Sequence, residues 1–168
     1  MQTYLNGTYL NSLSNNIQSK IAKVKWNIGG FDSYSITPSQ AYTAERGNVG
    51  ADNSTTLLTW PGKIALAYPS DYGYAATCDK TLIAYDDSAC TSTNWMYPVM
   101  TRNGQNYCWL LTPGSSNFDD ALDVASDGNL SNGIVDVFEY GAFPVLYLSS
   151  DAVIESGTVS GVNAYILS

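Results

Sequence analysis

Leu10, Leu13, Ile17, Ile21 and Val24 recur at spacings of three and four, the period of a single helix face. The stripe predicts helix packed on a core, not a cofactor box. It fits one helix or two separated near Ser14, since Asn15 followed by Gln18 resembles a helix start. Over residues 26–62 the period dissolves into Gly, Ser, Thr, Asn and Pro. Trp26, Phe31, Tyr34, Tyr42 and Trp60 are expected to pin this irregular segment to the body. Residues 63–68 read as a strand ended by Pro69, and Trp95, Met96 and Tyr97 are expected to pack beneath the polar loop that follows it. Residues 107–112 read as a second strand. Residues 121–126 and the chain from Leu130 onward form a predicted hairpin around Asp127-Gly128, a pair suited to the positive φ of tight turns. Residues 143–148 and 162–167 complete the strands. Helices first and strands after indicate an α+β fold in one domain, residues 1–168, with no repeat or linker.

Alternation within the hairpin predicts a displayed surface. Successive strand side chains point to opposite faces, so Val124, Val135 and Val137 facing inward would turn Asp123, Ala125, Asp136 and Phe138 outward together. Phe118, Asp119 and Asp120 precede this region, and Tyr140 follows it. Aromatic rings beside carboxylates, Asn and Ser make the mixture found in binding surfaces, with rigid contact area and adaptable hydrogen bonding. The competing reading places Phe118 and Phe138 in the core and makes the hairpin ordinary scaffold.

Composition narrows the function. The chain is 45% hydrophobic and only 13% charged, so it folds, and its net charge of −8 without a basic cluster argues against nucleic-acid binding. No apolar run reaches the roughly 20 residues of a membrane helix, so this segment is not expected to insert in a membrane. The opening MQTYLNG is no signal peptide and says little about compartment. The absence of histidine removes the common nucleophile triads and HExxH zinc sites, and there is no phosphate loop or GxSxG elbow. Asp119, Asp120, Asp123 and Asp136 supply carboxylates of the kind a glycosidase uses, but loop acids are ordinarily just solvated. The expectation is a protein that is not an enzyme and carries no cofactor or metal. For calcium, an EF-hand starting at Asp127 fails, with Asn132 and Phe138 where Gly and Glu belong; a looser site at Asp127 and Asn129 is the weaker alternative. Cys78 and Cys90 flank a short polar loop that a disulfide would close, while reduced thiols throughout are the alternative. Cys108 reads as an inert thiol in a buried strand.

The run WLLTPGSS, then SDGNL, then GAFPVLYLSSDAVIESGTVSGVNAYIL resembles a bacterial C-type-lectin-like surface-domain family common in gut Firmicutes. YLNGTYLNSLSNNIQSKI, WNIGG, YTAERG and GKIALAYPSDYGYA are similar to its N-terminal portion, so the resemblance spans nearly the whole chain. It implies a C-type-lectin-like fold with N-terminal helices, long irregular loops and a small twisted sheet. It also implies a Cys78–Cys90 disulfide and a place at the C-terminal end of a longer secreted or surface-anchored protein, extracellular or on the cell surface. One departure is Gly141-Ala142-Phe143-Pro144, where many members carry Arg before the Pro. Some members resemble the variable proteins of diversity-generating retroelements, which rewrite Asn-type codons in this region. The corresponding positions here are Asn117, Phe118, Asp119, Asp120, Leu122, Asp123, Ala125, Leu130, Ile134, Asp136, Phe138 and Tyr140. The expected function is an adhesin-like module that uses these residues, Leu122 aside, to bind a protein or glycan. The alternative is a pilin-like filament subunit that self-assembles. An enzyme akin to the formylglycine generator needs a reactive cysteine pair, and Cys78 and Cys90 read as structural.

Overall fold

The computed structural model describes residues 1–31, 35–47, 58–104, 106–115, 119–137, 140–159 and 162–167, with residues 103, 157–159 and 162–167 as backbone alone. The chain is mixed α+β, with short helices and small, mostly antiparallel sheets. The strands are β1 (Val24–Asn27), β2 (Thr59–Gly62), β3 (Ile64–Leu66), β4 (Tyr107–Pro113), β5 (Asp120–Ala125), β6 (Leu130–Ile134), β7 (Gly141–Ala142), β8 (Pro144–Leu146), β9 (Ile154–Val159) and β10 (Val162–Leu167). They form pairs β1–β2, β3–β8 and β9–β10 and one four-stranded sheet ordered β6-β5-β4-β7. Two compact units result: Met1–Lys25 with Pro61–Ala65 and Val145–Ser168, and Trp26–Trp60 with Leu66–Pro144.

In the first unit, residues 2–12 are helical with a π-turn over Leu5–Tyr9, and a second helix runs Asn15–Lys20. The break falls at Ser14, whose hydroxyl accepts from the Ile17 amide at 3.3 Å, so the two-helix alternative is the one realised. The predicted stripe is only partly core: Ile21 is buried, while Leu10, Leu13, Ile17 and Val24 are half-buried. Asn6 ties the first helix to β3, accepting from the Lys63 and Ile64 amides and donating to the Ile64 carbonyl at 2.7 Å. β9 and β10 pair antiparallel from Val159 opposite Val162 to Ile154 opposite Leu167, so the final strand has a partner that the sequence reading did not include.

The second unit holds most of the core. Within the segment read as irregular lies a helix, Pro38–Glu45. Its start is a reciprocal cap: the Gln40 amide donates to Thr37 Oγ1 and the Thr37 amide to Gln40 Oε1, with Pro38 in the first turn where it lacks no needed donor. Of the aromatic pins, Trp26 and Phe31 are buried, Trp60 is half-buried and Tyr42 is exposed, while Tyr34 lies outside the described residues. Pro69 ends the strand region and opens a helix, Pro69–Tyr74, with Asp71 Oδ2 accepting the Tyr68 amide. Cys78 and Cys90 are disulfide-bonded, their Cα atoms 5.0 Å apart, and Cys108 is a buried free thiol. Burial lifts that thiol to about 12, so it is inert as expected. Trp95 does not pack beneath the loop as expected: it is 69% exposed, and Met96 takes the buried place.

Candidate functional site

The hairpin forms as its sequence dictates. β5 and β6 pair antiparallel, with Val124 opposite Leu130 and Asp120 opposite Ile134. The Gly128 amide closes the turn onto the Ala125 carbonyl, and Gly128 itself takes φ +100°, the left-handed region where a side chain would be strained. An added Cβ there would also meet Thr91 Cγ2 at 2.8 Å. Two tyrosines hold the tip: Tyr72 Oη donates to the Gly128 carbonyl at 2.7 Å and Tyr97 Oη to the Ser126 carbonyl at 2.9 Å. Asp127, read as half of a loose calcium site, accepts from the Asn129 amide and side chain and so serves the turn. Among the described residues no cluster of three or more His, Cys, Asp or Glu side chains converges.

Register fixes the two faces of the sheet. Cys108 lies opposite Val124, and Leu122 opposite Asn132, so Cys108, Asp120, Leu122, Val124, Leu130 and Asn132 share one face, while the pairing of β4 with β5 shifts register between Trp109 and Pro113. All but Asn132 are buried; the Asn132 amide donates to Asp120 Oδ2 at 2.8 Å. Trp109 lies opposite Asp123 and Tyr107 opposite Ala125, which puts them on the other face with Ala121, Ser131 and Gly133. Tyr140, just before β7, joins this second face, its ring centroid 4.6 Å from that of Tyr107 and 4.5 Å from that of Trp109.

The predicted contact residues therefore scatter. Asp123 is fully buried, at 0% exposure, and Ala125, Leu130 and Asp120 are buried too, so the expectation that Asp123 and Ala125 face solvent is corrected. Alternation placed them properly opposite Val124, but both faces of β5 are covered, and period alone cannot report that. Val135 and Val137, expected inward, are 53% and 63% exposed. The reason is local: β6 stops at Ile134, one residue past Gly133, and the Val137 amide turns back onto the Ile134 carbonyl, which ends the alternation. Ile134 and Asp136 are exposed, and Asp119 and Tyr140 half-buried. Asn117, Phe118 and Phe138 lie outside the described residues. The sequence reading missed Val135, Val137 and Tyr107 as surface residues; Gly133 inside a short strand was the signal for an early strand end.

Asp123 stands apart chemically. Neither carboxylate oxygen has a hydrogen-bond partner among the described residues, and burial pushes its acidity up to about 7. Tyr140 is also shifted up, first by burial and then by the Asp123 and Tyr107 charges, which places its hydroxyl in the field of that carboxylate. No protein-family model, curated protein or solved structure matches the chain.

Proposed function

We propose that the protein is an extracellular, non-enzymatic binding module on a C-type-lectin-like frame, meeting a protein or glycan at the end of its β5–β6 hairpin. The observation that carries this is an apolar ridge left in water: Val135 and Val137 stand well exposed on either side of exposed Asp136, next to Ile134. Contiguous exposed apolar side chains cost solubility and mark contact surfaces more often than they serve folding. The ridge sits beyond a hairpin fixed at its other end by Tyr72 and Tyr97, so it is presented from a stiff support. A side-chain set free of folding duties is also what a diversity-generating retroelement would rewrite, and the family resemblance supports that origin. An array of host glycans and surface proteins, probed with the wild type and with Val135→Ser/Val137→Ser, tests the reading. Loss of specific binding by a variant with unchanged thermal stability is expected; equal binding by both would remove the ridge as the site. A template repeat and reverse transcriptase beside the gene are the expected genomic mark of diversification.

A second reading, a pilin-like subunit, is favoured by the other unit. There Leu146, Tyr147, Leu148, Val153 and Ile154 are all exposed around β8 and the start of β9. An apolar strip on short strands suits packing against further copies of the chain. Sedimentation at rising concentration separates the readings: self-association abolished by Tyr147→Ser/Ile154→Ser would favour assembly, and a persistent monomer would favour the ligand-binding role alone.

A further inference from the structure

The face carrying Asp123 is built of unequal parts. Around the carboxylate the neighbouring positions are small: Ala121 and Ala125 on its own strand, Ser131 and Gly133 on β6, and Ala142 opposite Trp109 on β7. The large side chains are three aromatics, Tyr107, Trp109 and Tyr140, with Tyr140 stacked on the other two. Asp123 is fully buried on this face, directly across the strand pair from Trp109, and the small residues beside it leave the three rings as the bulk of its cover. Such an arrangement does little for stability. A buried carboxylate that accepts no hydrogen bond is among the costliest groups a core can hold, and among the described residues neither oxygen of Asp123 accepts one.

The chemistry missing from the site is a cation. Burial is what raises the acidity of Asp123, with no basic side chain acting on it among the described residues, and the whole chain has seven Lys and Arg against fifteen acids. Aromatic faces attract an ammonium or guanidinium group, and most strongly where water is excluded. We propose that this face is a receptor for one organic cation, an alkylammonium or guanidinium group such as a ligand's Lys or Arg side chain carries, with Asp123 as counter-charge and Tyr107, Trp109 and Tyr140 as walls. The inference rests on the reading that ligands meet the molecule at this end of the hairpin, and it names what they bring. In the unliganded protein Asp123 is mostly protonated below pH 7, and the Tyr140 ring lies against Tyr107 and Trp109. The cation displaces the Tyr140 ring, and Asp123 gives up its proton to solvent as the ion pair forms. The groups that face this exchange are Tyr140, just before β7, and Tyr107 on β4, with the Cys108 thiol alongside on the opposite face of β4.

The test uses methylguanidinium and n-butylammonium chlorides as probes, with sodium chloride and N-methylurea as controls, followed by the Trp109 indole signal in NMR at pH 6 and pH 8. Saturable shifts with either cation are expected, with apparent affinity about tenfold tighter at pH 8, because a carboxyl near 7 is mostly protonated at the lower pH. Asp123→Asn should abolish the shift and Tyr140→Ala weaken it. A response to N-methylurea equal to that of the cations, or a cation response that Asp123→Asn leaves intact, would overturn the proposal. Should that variant fail to fold, the carboxyl carbon of Asp123 in the wild type is titrated with and without methylguanidinium; a midpoint that the cation does not lower overturns it too. Loss of array binding by the Val135→Ser/Val137→Ser protein, together with no cation response, would sink this inference and leave the binding-module reading standing.

Discussion

Glu45 and Asp123 are both at 0% exposure, and they are opposites. Glu45 closes the helix Pro38–Glu45 with every oxygen occupied: Oε1 accepts the Ser70 amide at 2.8 Å, and Oε2 accepts the Ser70 hydroxyl and Arg46 Nη1, the latter at 2.9 Å. The Arg46 guanidinium then lies 3.8 Å from the Tyr42 ring centroid and 4.6 Å from that of Tyr68. Burial still pushes the acidity of Glu45 above its ordinary value, with the Ser70 bonds and Arg46 pulling it back. Asp123 has the same burial and nothing pulling back. A carboxylate woven into a network joins helix Pro38–Glu45 to helix Pro69–Tyr74 and is architecture. A carboxylate buried without a hydrogen bond is a net cost to folding.

The contrast breaks most visibly at Glu45. Glu45→Ala leaves Arg46 without its carboxylate and the Ser70 amide without an acceptor. Removing one member of such a buried pair costs about 3–5 kcal/mol, toward the lower figure here because the Arg46 side chain is 24% exposed. Urea denaturation measures it, and a loss below about 1 kcal/mol would show that the network is ornament.

Asp123 should behave in the reverse sense. Its folded-state acidity, near 7, lies above that of an unfolded Asp, so between about pH 4 and pH 7 the native state holds a proton that the unfolded chain has lost. Stability from this group is complete below that window, falls as pH rises through it, and is level above 7. Asp123→Asn keeps the shape and removes the ionisation. The variant is expected to match the wild type at pH 4 and to exceed it by about 1–2 kcal/mol at pH 8, the gain trimmed by an amide that still lacks partners. Parallel denaturation curves at the two pH values decide it. A wild type equally stable at both would mean that Asp123 meets a donor in solution and that the two carboxylates do not differ in kind.

How much of this was legible beforehand follows the range of each interaction. The hairpin was readable because Asp127-Gly128 encodes a turn locally, and Gly128 takes the positive φ that this pair suits. The helix at Pro38 had an equally local signal in Thr37-Pro38-Ser39-Gln40, obscured by a window dominated by turn-forming residues. What stayed hidden was burial. Alternation separates Asp123 from Val124 but does not say that both faces of β5 are covered, because cover comes from residues distant in sequence such as Tyr140. The Glu45–Ser70 contact spans 25 residues and no periodicity announces it. The hairpin's pairing was thus legible and its depth was not: Asp123 is buried, and the exposed residues past β6 include two valines, Val135 and Val137.

The smallest expected effect sharpens what makes the Glu45 network whole. Arg46→Lys keeps the charge beside Glu45 but replaces a planar fork, able to bond a carboxylate while lying flat on Tyr42 and Tyr68, with a compact ammonium that cannot do both at once. If the rings contribute only apolar cover, the change costs almost nothing, since the pair survives. If the stacked guanidinium matters, the loss is about 0.5–1 kcal/mol. Tyr42→Leu separates the two, because it keeps an apolar contact and removes the ring face. In a double-mutant cycle, Arg46→Lys should cost less in the Tyr42→Leu background than in the wild type, the difference being the coupling between guanidinium and ring. Strict additivity would assign the whole effect to the hydrogen bonds on Glu45. The buried acid would then be satisfied by its partners alone, and the want of donors, not the company of aromatic rings, would be what sets Asp123 apart.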